Sequence, residues 1–279
     1  MNSMQSKNLD IEIRKIPWKL RILTFESLFN AGSGHVGPCL SMAEILTCLY
    51  FKVMNTDRED ENRDKFVLSK GHGVPILYSV FAEKGWIDFE ELNTLRQIDS
   101  RLQGHPDRVS MEFLDAGSGA LGQGISIAIG FALAQQLNNS NGDSYCIVGD
   151  GEMQEGQIWE SILYAGVKKI KNLCVIVDNN KYQNEKSVLE TLGNISLKEK
   201  IESFGWNYIS VDGHSIEEIL NALESYKLSN APTLIDAHTI KGKGVDFMEN
   251  NNAWHSKVLD EKNFLEAKKQ CQEKMNDIN

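Results

Sequence analysis

No run of basic residues occurs in this chain of 279 residues, and its formal net charge is −10. It therefore lacks the electrostatic footprint of a nucleic-acid binder. No stretch approaches ~18 consecutive apolar residues, so nothing reads as a membrane span. The start, Met1 to Asp10, is polar and has no apolar signal core. The five cysteines (Cys39, Cys48, Cys146, Cys174, Cys271) form no Cys-x-x-Cys pair and are odd in number. Most sit in apolar runs, which reads as packing cysteines in a reducing, cytoplasmic setting. Gly-x-Ser-x-Gly is missing, as are Walker spacing and any clear serine or cysteine triad. No His-x₃-His or Cys/His pair has zinc-ligand spacing. Internal repeats, low-complexity segments and clear linkers are absent too, so the simplest organisation is one domain over residues 1–279.

What is present is enough apolar residue, 41%, for a sizeable core. Residues 11–31 mix Ile, Leu, Trp and Phe with Lys and Glu, predicting an amphipathic helix. Ser41-Met42-Ala43-Glu44 predicts a capping box opening a helix through about Val53, and Asp88-Phe89-Glu90-Glu91 a second capping signal. Apolar runs at 66–68, 145–148, 173–177, 208–211 and 233–237 predict strands. Helices are expected at about 75–84, 125–137 and 157–167, after a Ser215 cap, and from Asp260 onward, whereas 103–115 reads as irregular. Strands alternating with helices predict an α/β fold with a doubly wound parallel sheet. Ligands on such sheets sit at the carboxyl ends of the strands.

Two of those ends carry the most informative motifs. Gly149-Asp150-Gly151 follows one strand and Asn179-Asn180 the next, with the 27 residues 152–178 between Gly151 and Asn179. That is room for one crossover helix, so a parallel β-α-β unit places a carboxylate beside an amide oxygen. A carboxylate, an amide oxygen and a carbonyl from the Asn179-Asn180-Lys181-Tyr182 turn make an oxygen-rich corner suited to magnesium serving a phosphate. Read singly, each motif is more often a plain turn than a metal site. The glycine cluster Gly117 to Gly124 precedes a helix and suits a phosphate; it also matches a nicotinamide fingerprint, but lacks a clear strand before it. His35, His72, His105 and His255 all lie in turns, where imidazoles bind phosphate, donate to an alkoxide or move protons. His214 and His238 read as structural. Lys241-Gly242-Lys243-Gly244 reads as a phosphate clamp or as a flexible loop.

Together these motifs resemble the transketolase family. Gly149-Asp150-Gly151 with Asn179-Asn180 is similar to the thiamine diphosphate signature. Gly34-His35-Val36-Gly37, Ser69-Lys70-Gly71-His72, Gly104-His105-Pro106-Asp107, Leu121-Gly122-Gln123-Gly124, and His238-to-Gly244 followed by Trp254-His255 resemble the transketolase branch, in family order over nearly the whole chain. The resemblance implies the diphosphate-binding half, as the N-terminal subunit of a split transketolase. Its partner would supply the pyrimidine-binding domain, with the glutamate that activates the cofactor, and the C-terminal domain.

Residue by residue, the resemblance implies that Asp150, Asn180 and the Tyr182 carbonyl ligate Mg2+, or Ca2+ or Mn2+ in its place. Gly151 and His72 would hold the diphosphate, and Gly119 and Leu121 would meet the rest of thiamine diphosphate. His35, His105 and His255 would line the channel for sugar or sugar-phosphate substrates, with His255 also near the diphosphate. Glu155 would join carboxylates at the interface of an α2β2 assembly. The implied reaction transfers a two-carbon ketol unit from a ketose to an aldose. The alternatives are a non-catalytic cofactor-binding scaffold and a ketoacid dehydrogenase or decarboxylase subunit. Val36, Ala120 and the stretch Asp115 to Ser118 depart from the family pattern around the channel; the metal motif does not.

Overall fold

The computed structural model describes residues 3–193 and 196–278; Met1 and Asn2 of the polar start lie outside them. Five strands form one sheet: β1 (Lys65–Leu68), β2 (Ser144–Gly149), β3 (Leu173–Asn179), β4 (Asn207–Asp212) and β5 (Thr233–His238). Every pairing is parallel, in the order β1-β2-β3-β5-β4. Among the described residues ten α-helices accompany it: α1 (Ser3–Ala31), α2 (Val36–Leu40), α3 (Ala43–Cys48), α4 (Val74–Glu83), α5 (Gln123–Leu137), α6 (Gly156–Lys168), α7 (Val188–Leu192), α8 (Leu197–Ser203), α9 (Ile216–Lys227) and α10 (Glu261–Asn276).

The central strands β2 and β3 are buried along nearly their whole length because both of their faces are covered, whereas the edge strand β4 is largely half-buried or exposed. Tyr145 and Ile147 of β2, with Cys174 and Ile176 of β3, join a core shared with α1, α3, α4 and α9. Their neighbours Cys146, Val148, Val175 and Val177 point to a second core under α5, α6 and α8. That alternation is the period-2 geometry of strands and makes the sheet doubly wound, as expected. Residues 103–115 contain no helix or strand, also as expected.

Two expected helix starts are corrected. Ser41 does not cap α3. Met42 occupies the cap position without a side-chain bond. The buried Ser41 hydroxyl instead donates to Asp178 Oδ2 at 2.6 Å and to the Pro38 carbonyl at 3.1 Å. Its supposed box partner, Glu44, is held by the Arg21 guanidinium at 2.8 and 2.7 Å and by His214 Nδ1 at 3.0 Å. Burial opposes the Glu44 charge most strongly, but Arg21 and His214 together outweigh it and its pKa falls to about 2. Tertiary partners have claimed both members of the box. The helix also turns into a π-helical segment at Leu49–Val53. Asp88 likewise gives no side-chain cap; its carbonyl accepts the Glu91 amide at 3.1 Å, opening a 3₁₀ turn at Phe89–Thr94. Ser215 does cap α9, accepting from the Glu218 amide.

Candidate active site

The carboxyl ends of β2 and β3 meet as the spacing predicts. Gly149 pairs with Asp178, and the Asp150 amide donates to the Asp178 carbonyl at 3.3 Å. Asp150 is buried. Its Oδ1 accepts the Gly151 amide at 2.8 Å and its Oδ2 the Lys181 amide at 2.5 Å. Asn180 is buried beside it, its Oδ1 accepting from the Tyr182 amide at 3.2 Å. Lys181 adopts a left-handed backbone, φ 73°, which folds the Asn180–Tyr182 turn back over Asp150. Burial, and then the neighbouring Asp178, push the Asp150 pKa up to about 7. The corner therefore holds an acid whose negative charge is costly until a cation offsets it.

The donor set suits a hard divalent ion: one carboxylate, one amide oxygen and backbone carbonyls, without sulfur. Among the described residues no group of three or more His, Cys, Asp or Glu could hold a metal by itself. An ion here would take its remaining oxygens from a ligand and water, as magnesium does when it serves phosphates.

The four turn histidines converge. His35 lies 5.2 Å from His72, 5.3 Å from His255 and 6.5 Å from His105, centroid to centroid. Close backbone approaches bring them together. A Cβ on Gly37 would lie 2.7 Å from the Trp254 carbonyl, so only glycine lets the His255 turn sit on the His35 turn. A Cβ on Gly71 would lie 2.8 Å from Ser118 Oγ, so glycine there admits the 117–119 loop. All four imidazoles are neutral at pH 7. Burial, then Arg96, lowers His35 to about 4; burial, then Lys241, lowers His255 to about 3. His72 falls well below the usual value through burial and Lys70, and His105 falls through burial and Arg96. The cluster is thus a set of neutral donors and acceptors ringed by cations, an environment that favours an anion. His35 Nδ1 is buried without a hydrogen-bond partner, a polar atom that a bound ligand would satisfy.

Not every anticipated residue joins this cluster. Gly119 faces the His105 ring, 3.6 Å from the position of its missing Cβ. Leu121 is exposed on the same loop, and Glu155 is exposed at the start of α6. His214 is structural, its Nε2 accepting the Ile240 amide at 2.9 Å. His238 stands exposed at the end of β5, bonded to Lys181 and Ser210. A cavity of ≈ 520 Å³ opens on another side of Asp150, lined by Met153, Trp159, Tyr182, Leu189 and Leu197. It is mostly apolar and none of the histidines line it.

Two carboxylates that sequence reasoning missed organise the site. Asp178, fully buried, accepts from Lys70 Nζ, Ser41 Oγ, Asn180 Nδ2 at 3.2 Å and Thr239 Oγ1 at 2.5 Å. Glu152 accepts from Ser69 Oγ at 2.5 Å, the Gly122 amide at 2.8 Å and the Gly149 amide at 3.0 Å, tying three loops together. The available signal for Asp178 was a charge ending the apolar run 173–177, directly before the Asn pair.

Residues 14–276 match the family described as transketolase, thiamine diphosphate binding domain. The chain belongs to this family. It is 40% identical over 252 residues to a 6-deoxy-6-sulfo-D-fructose transketolase subunit of Clostridium sp. (strain MSTE9), covering 89% of this chain and 92% of that one. It is 34% identical over 276 residues to an apulose-4-phosphate transketolase subunit of Phocaeicola vulgatus, covering 98% and 96%. The crystal structure of transketolase from Campylobacter jejuni superposes with a TM-score of 0.86 at 34% identity, over 94% of this chain but only 43% of that one. The fold and the transketolase resemblance are thereby borne out: the chain is a thiamine diphosphate-binding transketolase domain, similar in extent to transketolase subunits.

Proposed function

We propose that this chain is the N-terminal subunit of a two-chain transketolase, binding thiamine diphosphate through a magnesium ion, or calcium or manganese in its place. One observation carries the reading: four neutral imidazoles meet in one cluster flanked by cations, on the same sheet edge as the buried Asp150 corner. Asp150, the Asn180 amide oxygen and the Tyr182 carbonyl hold the ion. Gly151 and His72 hold the diphosphate. Gly119 and Leu121 border the rest of the cofactor. When bound, the cofactor supplies the electron sink for breaking a carbon–carbon bond beside a ketose carbonyl. His35, His105 and His255 bind the donor's hydroxyls and take up the proton released as that bond breaks. A neutral imidazole suits this because it accepts at one nitrogen and donates at the other. A two-carbon ketol unit passes from a ketose, phosphorylated or not, to an aldose acceptor.

The pyrimidine-binding and C-terminal domains belong to a second chain, which brings the activating glutamate; residues 1–279 are one diphosphate-binding domain. The extent of the two subunit relatives supports this division. On α6, the helix that follows the exposed Glu155, Leu163, Tyr164 and Val167 are exposed on one face, and this apolar surface suits an α2β2 assembly. Among the described residues no helix is long and apolar enough to cross a membrane. All five cysteines are buried and unpaired, which suits the reducing cytoplasm.

Reconstitution tests the reading. Chain and partner together transfer ketol units and either alone does not. In the pair, His105→Ala lowers kcat by about 100-fold, as loss of a proton-transfer group does, with cofactor affinity unchanged. Transfer by the single polypeptide, or full turnover by the variant, refutes it.

A further inference from the structure

Lys241 is fully buried and, among the described residues, forms no ion pair. Burying an ammonium is costly unless each of its hydrogens finds an acceptor. Three do: the Gln183 carbonyl at 3.0 Å, Asn252 Oδ1 at 2.6 Å and His255 Nδ1 at 2.8 Å. The Gln183 carbonyl can only accept. Asn252 turns its oxygen to the lysine because its Nδ2 donates to the Asn184 carbonyl at 2.9 Å. With three acceptors for three hydrogens, His255 Nδ1 accepts, and the proton of a neutral ring then resides on Nε2. Among the described residues, the hydrogen bonds of this ring are confined to Nδ1.

We propose that Lys241 is a positioning residue that fixes His255 as the Nε2–H tautomer, so that its single donor sits on the nitrogen left free for a ligand oxygen. His214 shows that the choice is local. There Nε2 accepts the Ile240 amide and Nδ1 faces Glu44 Oε2, which makes it the opposite tautomer. His255 lies 5.3 Å from His35, ring centroid to ring centroid, and His35 Nδ1 has no hydrogen-bond partner of its own. Lys241 also links this turn to the one carrying Tyr182, through the Gln183 carbonyl. The role in turnover rests on the ketol-transfer reading; the tautomer does not.

Ring-¹⁵N histidine spectra of the chain alone at pH 7, with His255→Gln to assign the signals, read the tautomer directly. His255 is expected to carry its proton on Nε2 and His214 on Nδ1. Lys241→Met should lower the Nε2–H to Nδ1–H ratio of His255 by about tenfold, the loss of one charge-assisted bond, and Lys241→Arg should restore part of it. A wild-type His255 protonated on Nδ1 overturns the proposal, whether or not any variant folds. So does an unchanged ratio in Lys241→Met while His214 keeps its signal. With the partner chain present, Lys241→Met should lower kcat by about tenfold, with rescue by Lys241→Arg. Full turnover in Lys241→Met overturns the positioning role. If no form, wild type included, transfers ketol units, the ketol-transfer reading fails and the spectra still decide the tautomer.

Discussion

Asp150 and Asp178 are carboxylates at the ends of neighbouring strands, both buried, and they behave in opposite ways. Burial opposes the charge on each. At Asp178, Lys70 and the donors Ser41 and Thr239 outweigh burial and hold the group below the usual carboxylate range. At Asp150 two backbone amides do not outweigh burial and the repulsion of Asp178, and the pKa climbs to about 7. One acid is satisfied from within the chain. The other is left short of positive charge at the place where a ligand would bring it. A buried charge can thus serve the fold or the site, and its partners decide which.

Three experiments sharpen or break this contrast. The largest effect is expected from Asp178→Ala, which strands the buried Lys70 ammonium and should cost about 3–5 kcal/mol in urea unfolding; a loss below about 1 kcal/mol would erase the distinction. Next, Asp150→Ala should weaken magnesium-dependent binding of thiamine diphosphate by about 100-fold, or about 2.7 kcal/mol, as read by calorimetry on the assembled enzyme. Unchanged affinity would remove Asp150 from the metal site.

The smallest effect concerns pH. The Asp150 pKa is raised on folding, so between about 4 and 7 the native state binds more protons than the unfolded state. The metal-free chain therefore has the full benefit of a protonated Asp150 below pH 4 and loses it as pH rises through 7. Asp178 is shifted the other way: its contribution is present above its unfolded pKa and is lost as pH falls below the usual carboxylate range. Asp150→Asn should accordingly stabilise the metal-free chain at pH 8 by about 1–2 kcal/mol and change little at pH 4. Equal effects at both pH values would contradict the shift.

The same contrast explains what the sequence made legible. The Asp150 corner was readable because glycines and asparagines at strand ends are local signals, and 27 residues between them fit one crossover. The four histidines were readable as a set because each sits in its own turn. Asp178, Glu152 and Lys241 were not, since the two acids also depend on distant partners, up to 137 positions away, and the lysine on a buried three-way acceptor set. The cap at Ser41 failed for the same reason. A full capping box does form at Ser187 and Glu190, on an exposed helix where no buried acid competes for the serine. Local rules hold best where tertiary demand is weak.

The strand order has a consequence in time. β4 hydrogen-bonds only to β5, which is inserted between it and β3. As the chain leaves the ribosome, β4 therefore has no strand to join until the 20 residues 213–232 and then β5 itself have been made. At ~5–20 residues per second the intervening stretch alone takes roughly 1–4 s. Thr239 and Lys241 follow β5 directly. The ion corner between β2 and β3 can thus take shape first, and the lysine that orients His255 arrives among the last pieces of the site.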